Sequence, residues 1–223
     1  MPKMNKKIEF PNNNTIVNFA NSILKHFNAP THHTTIKKVD DVLSNHKKVV
    51  VMLFDGFGTS IRKKNLSSKS ALNTHFLHRM NATYPPTTVA STTGMLSGLF
   101  PIENGWLSWR QYYEEYNCNV LVFSGIDPDS DNVYKKDNKS IHYSKFAFDN
   151  IALQINKANN KHISDIMFPK ILDKKGPKSL LGYKQKVNKS DIFFLQPPTF
   201  KEDNGIKGKK KGFEKMKMIL FII

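Results

Sequence analysis

An α/β fold with a mainly parallel central sheet flanked by helices is what this sequence predicts, on three observations. The run Val49-Val50-Val51-Met52-Leu53-Phe54 is apolar without interruption, as a strand buried on both faces requires. Asn119 to Phe123 and Asp191 to Leu195 are two further short apolar runs of strand length. Ahead of the first run, Ala20, Ile23, Leu24 and Phe27 recur at helical spacing, and strands interleaved with helices in this way give α/β architecture.

The elements follow in order. Asn12 to Asn14 form a turn, and Val17 to Phe27 an amphipathic helix that ends before Pro30. Ile36 to Leu43 is a second short helix, and Lys47 and Lys48 introduce the first strand. That strand stops at Asp55-Gly56-Phe57-Gly58, whose glycines permit a sharp turn and leave the Asp55 carboxylate at the strand's carboxyl end. Ligands of open α/β sheets bind at that end. Pro85 and Pro86 then stiffen the chain ahead of a short helix rich in small hydroxyl residues, with Thr87 or Thr88 at its start, Gly98 closing it and Pro101 beyond. Residues 1–200 read as one α/β domain, incomplete at its C-terminal end. Residues 201–223 read as a lysine-rich tail without globular patterning, its Gly205 to Gly212 segment of low complexity.

Composition bounds the function. The 223 residues suffice for one substantial core, and 39% hydrophobic residues place the chain among globular proteins. A formal charge of +16 attracts polyanions, so nucleic acid enters as a partner. The blander source of the surplus, a content of Lys, Asn and Ile set by codon usage with the lysines solvating the surface, carries more weight. The single cysteine, Cys118, excludes an internal disulfide framework and any multi-cysteine metal site. A signal-peptide pattern is missing from Met1 to Phe10, and no segment has bilayer-spanning length, so the expectation is a cytoplasmic protein without a membrane partner.

The chemistry centres on two segments. A helix N-terminus offers backbone N–H groups and a positive dipole end, which favour a phosphoryl group there. A threonine hydroxyl in that position attacks phosphorus only when activated, and no histidine or lysine lies beside it in the segment. A metal ion is the simplest activator, and Asp55 is a hard oxygen ligand suited to hold it. Taken singly, Asp-Gly after a strand is a common turn and a Thr-rich segment a capped, packed helix. Their combination, closed by Gly98-Leu99-Phe100-Pro101, is more specific.

The apolar strand ending in Asp55-Gly56, and the block from Pro85 to Pro101 continued by Ile102-Glu103-Asn104-Gly105-Trp106, are similar to the type I phosphodiesterase and nucleotide pyrophosphatase branch of the alkaline phosphatase superfamily. The resemblance covers Ile16 to Phe123 and fades beyond. It implies an alkaline-phosphatase-like fold, Thr88 as nucleophile and metal contact, Asp55 as metal ligand, and two Zn2+ ions acting on a small phosphate ester or nucleotide through a phospho-threonine. Ser91 stands where many relatives carry a phosphate-binding asparagine, and Asn104 where a histidine is usual. The aspartate and histidine motifs that supply the family's other metal ligands do not appear after residue 124. His142 and His162, with Asp149 and Asp165 near in sequence, read as ordinary residues, and Asp127-Pro128-Asp129 as a turn.

Three functions follow in order. The first is metal-dependent hydrolysis of phosphate esters, of phosphodiesterase or nucleotide pyrophosphatase type. The second is a truncated, catalytically inactive member of that family. The third is a basic nucleic-acid-binding protein, motivated by the charge and the lysines near Lys209 but lacking an ordered aromatic or zinc-finger pattern.

Overall fold

The structure, a computed structural model, describes residues 12–54, 57–167, 192–195 and 219–222. Its first element, α1 (Ile16–His26), starts where the sequence sets a reciprocal cap: the Asn18 N–H donates to Thr15 Oγ1, and the Thr15 N–H donates to Asn18 Oδ1 at 2.9 Å. Every residue from Ile16 to Leu24 is buried, so α1 is a central helix rather than a surface one. Buried Asn21 shows how its polar positions are satisfied. Its Nδ2 donates to Val17 O and to Gly98 O, both at 2.9 Å, and its Oδ1 accepts from the N–H groups of His32 and His33.

Helix α2 (Lys37–Leu43) and strand β1 (Val49–Phe54) follow. Burial alternates along β1, with Val49, Val51 and Leu53 buried and the intervening residues half-buried. Short helices α3 (Thr59–Asn65) and α4 (Ala71–Thr74) lead to α5 (Thr88–Ser97). Helix α5 packs against α1 closely: a Cβ at Gly94 would stand 3.1 Å from Val17 Cγ2 and from Thr83 Cγ2. Buried hydroxyls on α5 turn back onto the helix, Thr93 Oγ1 to Val89 O and Ser97 Oγ to Thr93 O, each at 2.7 Å, which lets so polar a helix sit inside. It ends at Gly98, whose φ of 75° is the left-handed C-cap conformation.

After α6 (Pro101–Asn104) come strands β2 (Arg110–Tyr113) and β3 (Cys118–Leu121), then β4 (Lys135–Lys136), β5 (Lys139–Ser140), α7 (Ile141–Lys145), α8 (Ile151–Asn159) and β6 (Ser164–Met167). Strands β7 (Ile192–Leu195) and β8 (Ile219–Ile222) complete the described elements. The main hydrophobic core joins α1, α2, β1 and α8 through residues such as Phe19, Ile23, Leu43, Val51 and Ile155.

The expected mainly parallel central sheet flanked by helices is overturned. Eight helices dominate the described residues, and three of the five strand pairings are antiparallel: β1 with β8, β2 with β3, and β4 with β5. The pairings β1–β7 and β6–β7 are parallel, which makes the sheet of order β6-β7-β1-β8 a short mixed one. The physical reason lies in the connections. Asn117 in the left-handed conformation closes β2 onto β3, and Asp137 and Asn138, both at positive φ, close β4 onto β5. Adding a strand in parallel needs a crossover of roughly a dozen residues or more, and these turns are too short for one. The predicted strand Asn119 to Phe123 is therefore β3 of a two-stranded ribbon, outside the sheet that contains β1. Of the predicted tail, only residues 219–222 fall within the described residues. No described helix is long and apolar enough to cross a membrane.

Candidate functional site

Thr87 and Thr88, the two candidates at the start of the hydroxyl-rich helix, occupy different positions. Thr87 is the N-cap of α5. Its Oγ1 accepts from the Ala90 N–H at 3.1 Å and donates to Leu107 O at 3.0 Å, so its hydroxyl is committed to structure. Thr88 is the first helical residue, at the positive end of the helix dipole. Asp55, the other predicted ligand, lies outside the described residues; β1 ends at Phe54, immediately before it.

Thr88 lines a cavity of about 870 Å3. Helix α5 forms one wall with Thr88, Thr92, Thr93 and Leu96, residues that share a face because they fall one turn apart. Trp106, Trp109 and Phe123 form a second wall, and their rings pack edge to face or tilted on one another, Trp109 against Phe123 with centroids 5.3 Å apart. The third wall comes from Lys139 of β5 and the stretch after it: Tyr143, Phe146 and Phe148. Ile166 of β6 closes one end. Trp106 holds the walls together. It is 1% exposed, donates from Nε1 to Phe146 O at 2.9 Å, and joins Val89, Val122 and Phe148 in a second hydrophobic cluster.

The two departures from the family pattern are structural here. Ser91 is fully buried with its hydroxyl 3.1 Å from that of Thr83. Asn104 is buried too, donating to Ser97 Oγ and Leu99 O and accepting from the Trp106 N–H, which fixes the turn that delivers Trp106 to the cavity.

Nor does the structure gather the remaining candidates. His162 pairs with Asp165 at 3.0 Å on the surface, and Asp149 with Lys157 at 2.5 Å. Asp127 accepts from the Ser130 hydroxyl and the Asp129 N–H, a turn, while Asp129 meets Arg110 at 2.6 Å. His142 is fully buried behind Trp106, its Nδ1 facing the Tyr113 hydroxyl and its Nε2 without a hydrogen-bond partner among the described residues. Burial lowers His142 to about 4 and pushes Tyr113 up to about 12, the latter helped by the charge of Glu115.

The sign of the resulting pH dependence is fixed. Between about pH 4 and 6.5 the unfolded chain protonates His142 and the folded chain does not, so stability falls as pH drops through this window and is fully present above it. The loss amounts to about 2–3 kcal/mol. Denaturant melts at pH 7 and pH 4.5 are expected to show it in the wild-type chain. His142→Phe, neutral at every pH, flattens the difference; an equal slope in both proteins contradicts this account.

All eight histidines and the single cysteine of the chain lie within the described residues, and there no group of three His, Cys, Asp or Glu side chains is placed to hold a metal ion. A catalytic zinc takes three protein ligands as a rule; Asp55, the ligand the sequence predicts, lies outside the described residues. Compared with protein-family models, with curated proteins and with solved structures, the chain matches none.

Proposed function

We propose that this chain binds and cleaves a phosphate ester, with Thr88 as the attacking group. The observation that carries the reading is the placement of Thr88 at the first position of α5 and in the wall of an 870 Å3 cavity, beside a Thr87 whose hydroxyl is engaged on both sides. The similarity of the Asp55-Gly56 and Pro85 to Pro101 blocks to type I phosphodiesterases and nucleotide pyrophosphatases supports the same chemistry.

In this reading the phosphoryl group lies at the α5 N-terminus, where the helix contributes the equivalent of roughly half a positive charge. As the bond from Thr88 Oγ1 to phosphorus forms and the bond to the leaving group breaks, the Thr88 hydroxyl proton passes to the leaving oxygen. Water then attacks the phosphorus of the covalent intermediate, releasing phosphate or its monoester and returning a proton to Oγ1. Among the described residues no zinc ligand set is assembled, and no step is assigned to metal.

A second reading is favoured by the scattered histidines: a chain that retains ester binding without turnover. Hydrolysis of p-nitrophenyl phosphate, bis(p-nitrophenyl) phosphate and the p-nitrophenyl ester of thymidine monophosphate, with zinc absent and added, separates the two. Turnover of any of these esters supports cleavage. A folded chain inactive on all of them at every zinc concentration leaves the second reading in place.

A further inference from the structure

Thr92 sits one turn below Thr88 on the cavity face of α5. It is 7% exposed, and its hydroxyl has no hydrogen-bond partner among the described residues. A buried hydroxyl left unsatisfied is costly, unlike those of Thr93 and Ser97 on the same helix, which bond to carbonyls one turn back. Lys139 lines the same cavity and is the charged residue among the described lining. It is presented by a hairpin whose turn, Asp137-Asn138, holds both residues at positive φ, and it directly precedes buried Ser140, the N-cap of α7. The remaining lining is dominated by the rings of Trp106, Trp109, Phe123, Tyr143 and Phe148.

We propose that Thr92 and Lys139 form an anion subsite within this cavity, so that the ligand it takes joins a negatively charged oxygen group to a flat aromatic body. The orphaned Thr92 hydroxyl donates to an oxygen of the anion, the Lys139 ammonium neutralises its charge, and the rings stack on the body. This deepens the reading of the Thr88 cavity as an ester site. It names the class of substrate, an ester carrying an anionic group on an aromatic frame, and assigns specificity to Thr92, within the Pro85 to Pro101 block, and to Lys139, beyond the residues the resemblance covers.

Binding tests it without turnover. The chain's two tryptophans both line the cavity, so intrinsic fluorescence reports occupancy directly. Phenylphosphonate, which no phosphoester hydrolase cleaves, is the probe, and benzyl alcohol supplies the ring without the charge. Thr92→Val and Lys139→Gln are each expected to weaken phenylphosphonate about tenfold, the scale of one charge-assisted hydrogen bond, and to leave benzyl alcohol unchanged. Thr92→Val is also expected to raise the melting temperature of the free protein, because a methyl replaces an unsatisfied hydroxyl. A purely structural threonine moves the melting temperature the other way. Unchanged phenylphosphonate affinity in both variants, or no fluorescence response of the wild-type chain at saturating probe, overturns the subsite. Tight binding that depends on Thr92 and Lys139 in a chain that hydrolyses no ester sinks the catalytic reading alone, and hydrolysis indifferent to both residues sinks the subsite alone.

Discussion

Thr88→Ala is expected to reduce ester turnover at least about 10^3-fold, the scale seen when a covalent nucleophile is removed, while binding of phenylphosphonate in the cavity persists. The argument is one of position. Thr87 is the N-cap of α5, its hydroxyl bonded to the Ala90 N–H and to Leu107 O, and Thr88 is the first helical residue and lines the cavity at the positive end of the helix. Thr87→Ala therefore acts on stability, costing about 1 kcal/mol for a lost N-cap, with turnover reduced only as far as the helix start shifts. Thr88→Ser keeps a hydroxyl and is expected to retain measurable activity. Parallel denaturant melts and initial rates for the three variants check the pattern; a Thr88→Ala protein as active as the wild type removes Thr88 from the chemistry.

The second large effect concerns the scaffold. Trp106→Ala is expected to lower stability by about 3–5 kcal/mol, because it empties a fully buried indole site. Three supports disappear together. Val89, Val122 and Phe148 lose their shared neighbour, Phe146 O loses its donor, and the edge-on contact with His142, at 4.3 Å between centroids, is gone. The cavity wall that faces Thr88 is expected to collapse, so phenylphosphonate affinity falls with stability. Trp106→Phe retains most of the buried area but not the hydrogen bond, and a loss of about 1–2 kcal/mol is expected. Urea denaturation of both variants measures the difference. Equal losses would mean that the hydrogen bond, rather than packing, sets the cost.

Much of the local structure was legible in the sequence. The predicted helix Val17 to Phe27 appears as Ile16–His26, the first strand as Val49–Phe54, and the hydroxyl-rich helix as Thr88–Ser97 with Gly98 at its cap. These succeed because each depends on periodicity, a cap or a glycine within a few residues. The sheet did not follow, because strand order depends on partners distant in sequence. Short apolar runs gave no sign that β3 would fold back on β2 while β8 would run antiparallel beside β1.

The site divides similarly. The helix start left Thr87 and Thr88 both open, and the resemblance alone singled out Thr88; the structure makes Thr87 the N-cap and places Thr88 in the cavity lining. Thr92 carried a signal that spacing alone offered, since it follows Thr88 by four residues and shares its face. Lys139 carried none, being one among 34 lysines and arginines, and only the hairpin that presents it to the cavity distinguishes it. The aromatic walls draw on residues from Trp106 to Phe148, brought together by the turns around Gly105 and Asn138, so no local pattern could join them.

The most direct test of the central claim is to mix the wild-type chain with bis(p-nitrophenyl) phosphate, quench in acid within a turnover, and map covalent phosphate by mass spectrometry of the peptides. A p-nitrophenylphosphoryl group on Thr88 is expected, absent from Thr88→Ala and present in Thr87→Ala. Release of p-nitrophenol with no modified threonine, or with the group on any other residue, would contradict it.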